Sequence, residues 1–160
     1  MSVTVRQFPI RLDNACFGCG GANPHGMKLA FEQDDARQRI VGRFRPGEEF
    51  QGGSGFLHGG IIAVLLDEAM GKAARFHGEH AVTAELRVEY KRPIPVSSGI
   101  VVEGFVTRRE GRQLYHEGEI RNEAGDLLAR GEGRFVIIDR GKYKEKWNGG
   151  SAPAGVKAKE

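Results

Sequence analysis

At 160 residues with a formal net charge of +3, the chain has the length of one domain with a core of its own. The whole excess sits in residues 141–160, which hold five lysines against two glutamates; residues 1–140 balance at 19 basic and 19 acidic groups and offer no basic face for nucleic acid. The longest apolar run, Ile61 to Leu66, is far below the roughly 20 residues of a membrane span, no signal-peptide core opens the chain, and two cysteines are too few for a disulfide scaffold, so a soluble, cytoplasmic protein is expected.

Residues 1–14 have no clear period and are expected to form an arm or a short turn. They lead into Cys16-Phe-Gly-Cys19-Gly-Gly-Ala-Asn-Pro-His25-Gly26, a loop by its glycine, proline and asparagine content. One cysteine pair and one histidine fall short of the four ligands of tetrahedral zinc, so no metal is expected and both thiols are read as free. Lys28 to Gln33 and Gln38 to Arg45 then form a hairpin about Asp34-Asp35-Ala36-Arg37, with Leu29, Phe31, Ile40 and Phe44 turned inward.

The stretch Pro46 to Gly55 breaks that pattern and delivers Phe56-Leu57-His58-Gly59-Gly60 to one apolar helix ending near Phe76, with Gly78 as its cap. About 18 residues of helix span roughly 27 Å. Val82, Ala84, Leu86, Val88 and Tyr90 alternate with polar residues along a strand that Pro93 and Pro95 stop. Ile100 to Arg109, Gln113 to Asn122 and Leu127 to Ile138 continue as an antiparallel meander, turning at Glu110-Gly111-Arg112 and at Glu123-Ala-Gly125-Asp126. Residues 141–160 are polar and without period and read as a disordered lysine-rich tail. The expected architecture is an α+β domain over residues 1–140, a curved antiparallel sheet of about six strands wrapped around one long central helix.

Two acids lie on that helix, and helical spacing separates them. Glu68 stands four residues before Lys72, a favourable order that gives its charge a surface partner. Asp67 instead shares its face with Gly60, Ala63, Val64, Met70, Gly71 and Ala74, with no local cation. Two readings stay open for it: a desolvated carboxylate available as base or nucleophile, or one that is solvated or bonded to a neighbouring strand. At the helix start, first-turn N–H groups lack intrahelical acceptors, and Gly59 and Gly60 let a carbonyl oxygen approach them as in an oxyanion hole. His58 orients the turn, donates to a substrate, or bonds backbone.

Cys-Phe-Gly-Cys-Gly, Asn23-Pro24-His25-Gly26, Phe50-Gln51-Gly52, His58-Gly59-Gly60, Leu66-Asp67-Glu68-Ala69-Met70 and Tyr90-Lys-Arg-Pro93 together make residues 16–138 similar to the hotdog-fold acyl-CoA thioesterases, in the phenylacetate-pathway-thioesterase-like branch of the 4-hydroxybenzoyl-CoA thioesterase superfamily. The resemblance implies hydrolysis of an acyl- or aryl-CoA thioester without metal or redox cofactor, coenzyme A being part of the substrate. It makes Asp67 the carboxylate that activates water or attacks the thioester, Gly59 the oxyanion donor and Thr83 the holder of the attacking water; Gln51 matches the position of a family Asn or Gln, and His58 one that orients the loop or contacts the thioester. It also implies a homodimer with sheets paired edge to edge, stacking into a homotetramer. Gly60, Phe56 and Leu57, with Ile61 and Ile62, would line the acyl site, and Lys91 and Arg92 would meet the coenzyme A phosphates, with Arg108, Arg109 and Arg112 as further candidates. Two alternatives stand beside hydrolysis: a hydroxyacyl-thioester dehydratase, which shares the fold and would use His58 with Asp67 or Glu68, and a non-catalytic acyl-CoA binding module, which would have no need of the Asp67 carboxylate.

Overall fold

The computed structural model describes residues 5–8 and 10–143. Seven strands form one antiparallel sheet: β1 (Val5–Phe8), β2 (Phe31–Asp34), β3 (Arg39–Phe44), β4 (Ala81–Tyr90), β5 (Ile100–Glu110), β6 (Gln113–Asn122) and β7 (Leu127–Ile137), in the order β1-β2-β3-β5-β6-β7-β4. One helix, α1 (Gly59–Ala73), packs against β3 through β7. The disordered tail expected at 141–160 falls, from residue 144 onward, outside the described residues. No described helix is long and apolar enough to cross a membrane.

The seventh strand is the first one. Val5–Phe8 pairs with β2 from Val5 opposite Asp34 to Phe8 opposite Phe31. Only Phe8 packs against the core, the other three residues being exposed, so the segment carries no alternation from which a strand is readable. The helix is α-helical for 15 residues and then tightens into a four-residue 3-10 turn, Ala74–His77. Gly78 ends it at φ 67°, a left-handed conformation that costs glycine nothing, with its N–H donated to the carbonyls of Ala74 and Arg75.

Ile62, Leu65, Leu66, Ala69, Met70 and Ala73 are buried, the i, i+3, i+4, i+7 stripe of a helix lying on a sheet. What brings helix and sheet together is a row of glycines. Gly104 of β5, Gly118 of β6 and Gly131 of β7 stand side by side in the registers of their strands. A Cβ on Gly104 would come 2.4 Å from the Ala69 carbonyl carbon, and one on Gly118 or Gly131 within 3.1 Å of Met70. The row is a trough, and the helix lies in it at backbone contact.

One polar side chain is sealed in this interface. His116 of β6 is 1% exposed, stacks on Phe135 at 4.3 Å and donates Nδ1–H to the Met70 carbonyl oxygen, 2.6 Å away. Burial pushes its pKa down to about 4, so it is neutral near pH 7 and acts as a core group.

The trough gives the first prediction. Gly104→Ala must move helix backbone and is expected to lower unfolding free energy by about 1–3 kcal/mol in urea titrations, whereas Gly53→Ala, with nothing within 4 Å of the new methyl, stays within about 0.5 kcal/mol. Equal effects at the two positions would contradict the backbone-contact account.

Candidate active site

The central pair joins helix to sheet. Thr83, near the start of β4, donates its hydroxyl to Asp67 Oδ1 at 2.7 Å. Strict alternation would place Thr83 on the same face as Glu85, Arg87 and Glu89, whose carboxylates and guanidinium pair with Arg134, Glu132 and Lys91 on the outside of the sheet. A bulge prevents this. Thr83 pairs with Phe135 and Glu85 with Arg134, leaving Ala84 without an opposite number. The extra residue inverts the parity, so that Thr83 shares the helix-facing side with Leu86, Val88 and Tyr90, opposite Gly133, Gly131 and the buried Ala129.

Asp67 is half-buried, as are Ala63, Val64 and Gly71 of its helical face, while Met70 and Ala74, expected on the same face, are packed into the core. Burial pushes its carboxyl above the ordinary aspartate range; the Thr83 hydrogen bond pulls it down, the Glu68 charge pushes up and Lys72 pulls down, and burial prevails. Among the described residues Oδ2 accepts no hydrogen bond. The arrangement is an oriented carboxylate with one lone-pair face spent and the other open.

The helix N-terminus is built by His58. Its Nδ1 accepts from the Gly60 N–H at 2.9 Å, which makes it the N-cap, and its carbonyl takes the N–H groups of Ile61 and Ile62. The capped amide is therefore that of Gly60, and Gly59 keeps the first-turn N–H without an intrahelical acceptor. The Gly59 carbonyl accepts from Tyr90 Oη at 3.0 Å. Strand β4 thus grips α1 at two points, Thr83 on Asp67 and Tyr90 on Gly59. Tyr90 is a positioning residue whose role the sequence did not mark: it stood there only as an alternating apolar position and as the head of Tyr90-Lys-Arg-Pro93.

Other expected site residues fall into place differently. Gln51 Oε1 accepts from the Gly55 N–H at 2.9 Å, closing its own loop rather than reaching Asp67. Phe56 is exposed, whereas Leu57 is 6% exposed and Ile62 5%, both packed in the core of the single chain; the Leu57 N–H donates to the Ile94 carbonyl at 2.9 Å. Lys91 pairs with Glu89 and Arg92 with Asp126 at 3.5 Å, both near the Tyr90 end of β4. Arg108 pairs with Glu110 and lies over Tyr115, Arg109 pairs with Glu79 at 3.1 Å, and Arg112 donates to the Ile137 carbonyl.

Glu68 corrects the expectation of a surface ion pair. It does meet Lys72 at 2.5 Å, yet the two side chains are only 14% and 13% exposed. The reason is the Cys16–Cys19 loop, which folds over them: Cys16 Sγ donates to Glu68 Oε1 at 3.3 Å, and Gly18 presses so close that a Cβ there would stand 2.4 Å from the same oxygen. Burial pushes the Glu68 carboxyl up, but the Lys72 charge, its hydrogen bond and those of both thiols leave it below the usual range. Cys19 is pushed up to about 12 by burial and by Glu68. Both thiols are unbridged. Their sulfurs and a Glu68 oxygen lie within 4.8 Å of one another, and His25 is not part of the group. No periodicity signals a lid 52 residues upstream of the acid it covers.

Against known proteins, residues 54–129 match the Thioesterase superfamily. The acyl-coenzyme A thioesterase THEM4 of Rattus norvegicus is 40% identical over 118 residues, 73% of this chain and 51% of that protein. The chain spans about half the length of the curated relatives it matches. A crystal structure of a thioesterase superfamily protein superposes with a TM-score of 0.71 at 29% identity, covering 76% of this chain and 60% of that one. The E. coli PaaI protein from the phenylacetic acid degradation operon superposes with a TM-score of 0.60 at 20% identity, over 64% and 74% of the two chains, a likeness of fold alone.

Stability offers a readout of Asp67 separate from chemistry. Because its folded pKa is raised, the folded chain holds that proton more tightly than the unfolded chain does, and the group's favourable contribution, present below the unfolded pKa, is lost as pH rises through the folded one. At neutral pH the ionised carboxylate costs stability. Asp67→Asn, which keeps an oxygen for Thr83, is expected to raise the thermal midpoint at pH 7, the gain shrinking as pH falls toward about 4. A lower midpoint at pH 7 in scanning calorimetry would contradict the burial account.

Proposed function

We propose, from the match of residues 54–129 to the Thioesterase superfamily, that the protein hydrolyses an acyl- or aryl-CoA thioester to the carboxylic acid and free coenzyme A, with Asp67 as its base. The observation that carries this reading is the Asp67 carboxylate, desolvated, held at Oδ1 by Thr83 and free at Oδ2. Water attacks the thioester carbonyl carbon and gives its proton to Oδ2. The carbonyl oxygen takes up negative charge against an amide donor, and collapse expels the thiolate, which recovers the proton. Written so, the reaction needs no metal or redox cofactor. Direct attack by Oδ2 would use the same geometry through an acyl-enzyme anhydride.

The amide donor we assign is Gly59, and its position decides the assembly. Eight residues of helix separate Gly59 from Asp67, about 12 Å along the axis at 1.5 Å per residue. An oxyanion donor and a base must each come within about 3 Å of the same reacting group. One chain therefore cannot supply both to one thioester, and we propose that Asp67 of one copy works with Gly59 of another. Strand β4 is the sheet edge next to the site, its outer ladder unpaired among the described residues and with Leu86 and Tyr90 exposed at 37% and 55%, and it suits edge-to-edge pairing in a homodimer. Stacking of two dimers into a tetramer belongs to the same proposal, as does contact of Lys91 and Arg92 with coenzyme A phosphates and a cytoplasmic setting for the two free thiols.

The test is thiol release across aromatic, short, medium and long acyl-CoAs. Wild-type protein is expected to turn over at least one class, and Asp67→Asn to lose about 100-fold or more in kcat with an unchanged circular dichroism spectrum. Full activity in Asp67→Asn would end the mechanism. Hydration of a crotonyl thioester without thiol release would replace hydrolysis by dehydratase chemistry, and tight acyl-CoA binding with neither reaction would leave a binding module.

A further inference from the structure

A hollow of about 370 Å³ opens between β1, the loop that carries the cysteines, the C-terminal end of α1, the start of β4 and the end of β7. It contains none of Asp67, Thr83 or Gly59. Its lining holds Arg11, Lys72, Arg75 and Arg140, with His80 and the amide of Asn14 beside them, and no carboxylate lines it. An adjoining hollow shares Arg11, Arg75, His80 and Arg140 and adds one acid, Glu79, which is already held by Arg109 at 3.1 Å.

Charge accounting separates these cations. Arg11 is neutralised by Asp13 at 2.8 Å and Lys72 by Glu68 at 2.5 Å. Arg75 and Arg140 have no carboxylate or carbonyl partner among the described residues; Arg75 lies over the Phe8 ring with its guanidinium carbon 4.6 Å from the centroid. Elsewhere in the described chain every arginine is held by an acid or a carbonyl except Arg39, which rests on Phe105 at 3.3 Å. Two of the three guanidiniums without an acid or carbonyl partner among the described residues are therefore gathered in one place. They crowd it: burial and then the Arg140 charge lower the Arg75 pKa, Cys19 opposing and Arg11 adding, while burial and then Arg140 and Arg75 lower His80 against the pull of Glu79. A helix C-terminus welcomes one cation through its dipole, which accounts for Arg75 in the last turn but not for Arg140 brought up beside it.

We propose that this hollow binds the phosphate group of a small organic phosphate or diphosphate, with Arg75 and Arg140 as its two ligating cations. Two unspent positive charges match a dianion, and the guanidinium fork matches paired phosphate oxygens. Asn14 Oδ1 is engaged by the Cys16 N–H at 2.9 Å, which leaves the Asn14 amide group as a donor, and a neutral His80 adds a further ring N–H. The phosphate belongs either to the coenzyme A moiety of a substrate or to a separate small molecule. The site itself stands independently of the hydrolase reading.

The experiment is calorimetric titration of the full chain with inorganic phosphate, pyrophosphate, coenzyme A and 3′-dephospho-coenzyme A, using wild type, the double variant Arg75→Gln/Arg140→Gln, and Arg39→Gln as a control at an arginine likewise without an acid. All three arginines are exposed or half-exposed, and thermal midpoints verify folding. Saturable one-to-one binding of pyrophosphate or coenzyme A that weakens at least tenfold in the double variant and not in Arg39→Gln supports the site. If coenzyme A is among the ligands lost, the phosphate is the substrate's own; if only pyrophosphate is lost, it is a separate molecule's. Absence of saturable binding by every probe, or equal weakening in Arg39→Gln, overturns the proposal.

Discussion

The position of one unpaired residue, Ala84, decides what the helix carboxylate meets. With regular pairing, Thr83 would stand among the charged side chains on the outside of the sheet. The bulge turns it inward to Asp67 while leaving Leu86, Val88 and Tyr90 on the helix side further along. A strand that grips the helix at Asp67 and again at Gly59 also holds the His58 turn in place, so the carboxylate and the helix N-terminus are fixed by the same element. Bulges of this kind re-aim a side chain without rebuilding a sheet.

That grip depends on how closely the helix lies. Gly104, Gly118 and Gly131 remove three side chains from the face that α1 covers and let its backbone touch β5. Behind the helix, the cysteine loop closes over Glu68 and Lys72, so two charges next to Asp67 are withdrawn from solvent as a bonded pair. The consequence for Asp67 is electrostatic. Glu68 is spent on Lys72 and the thiols, and Asp67 is left to answer mainly to its own burial and to Thr83.

Much of this was legible in the residues. The helix, the Gly78 cap and the glycine turns followed from apolar spacing and turn chemistry, and Gly111 and Gly125 do adopt positive φ, 57° and 89°. Helical neighbours alone distinguished Asp67 from Glu68. What escaped were features set by partners distant in sequence. Strand β1 buries one residue of four, so it has no pattern to read. The bulge was invisible because Thr83-Ala84-Glu85 alternates faultlessly on paper, and the glycine row exists only once three strands are in register. Glu68 read as a surface acid because its lid comes from the cysteine loop, 52 residues upstream.

The central claim is that Asp67 is a desolvated carboxylate restrained by the Thr83 hydroxyl. Carbon-detected NMR titration of the Asp67 carboxyl, in wild type and in Thr83→Val, tests it most directly. The account predicts a pKa above the ordinary aspartate value in wild type, and a further rise in Thr83→Val, where burial persists and the hydrogen bond that favours the ionised form is gone. An ordinary aspartate pKa in wild type, or one unmoved by the loss of Thr83, would contradict it.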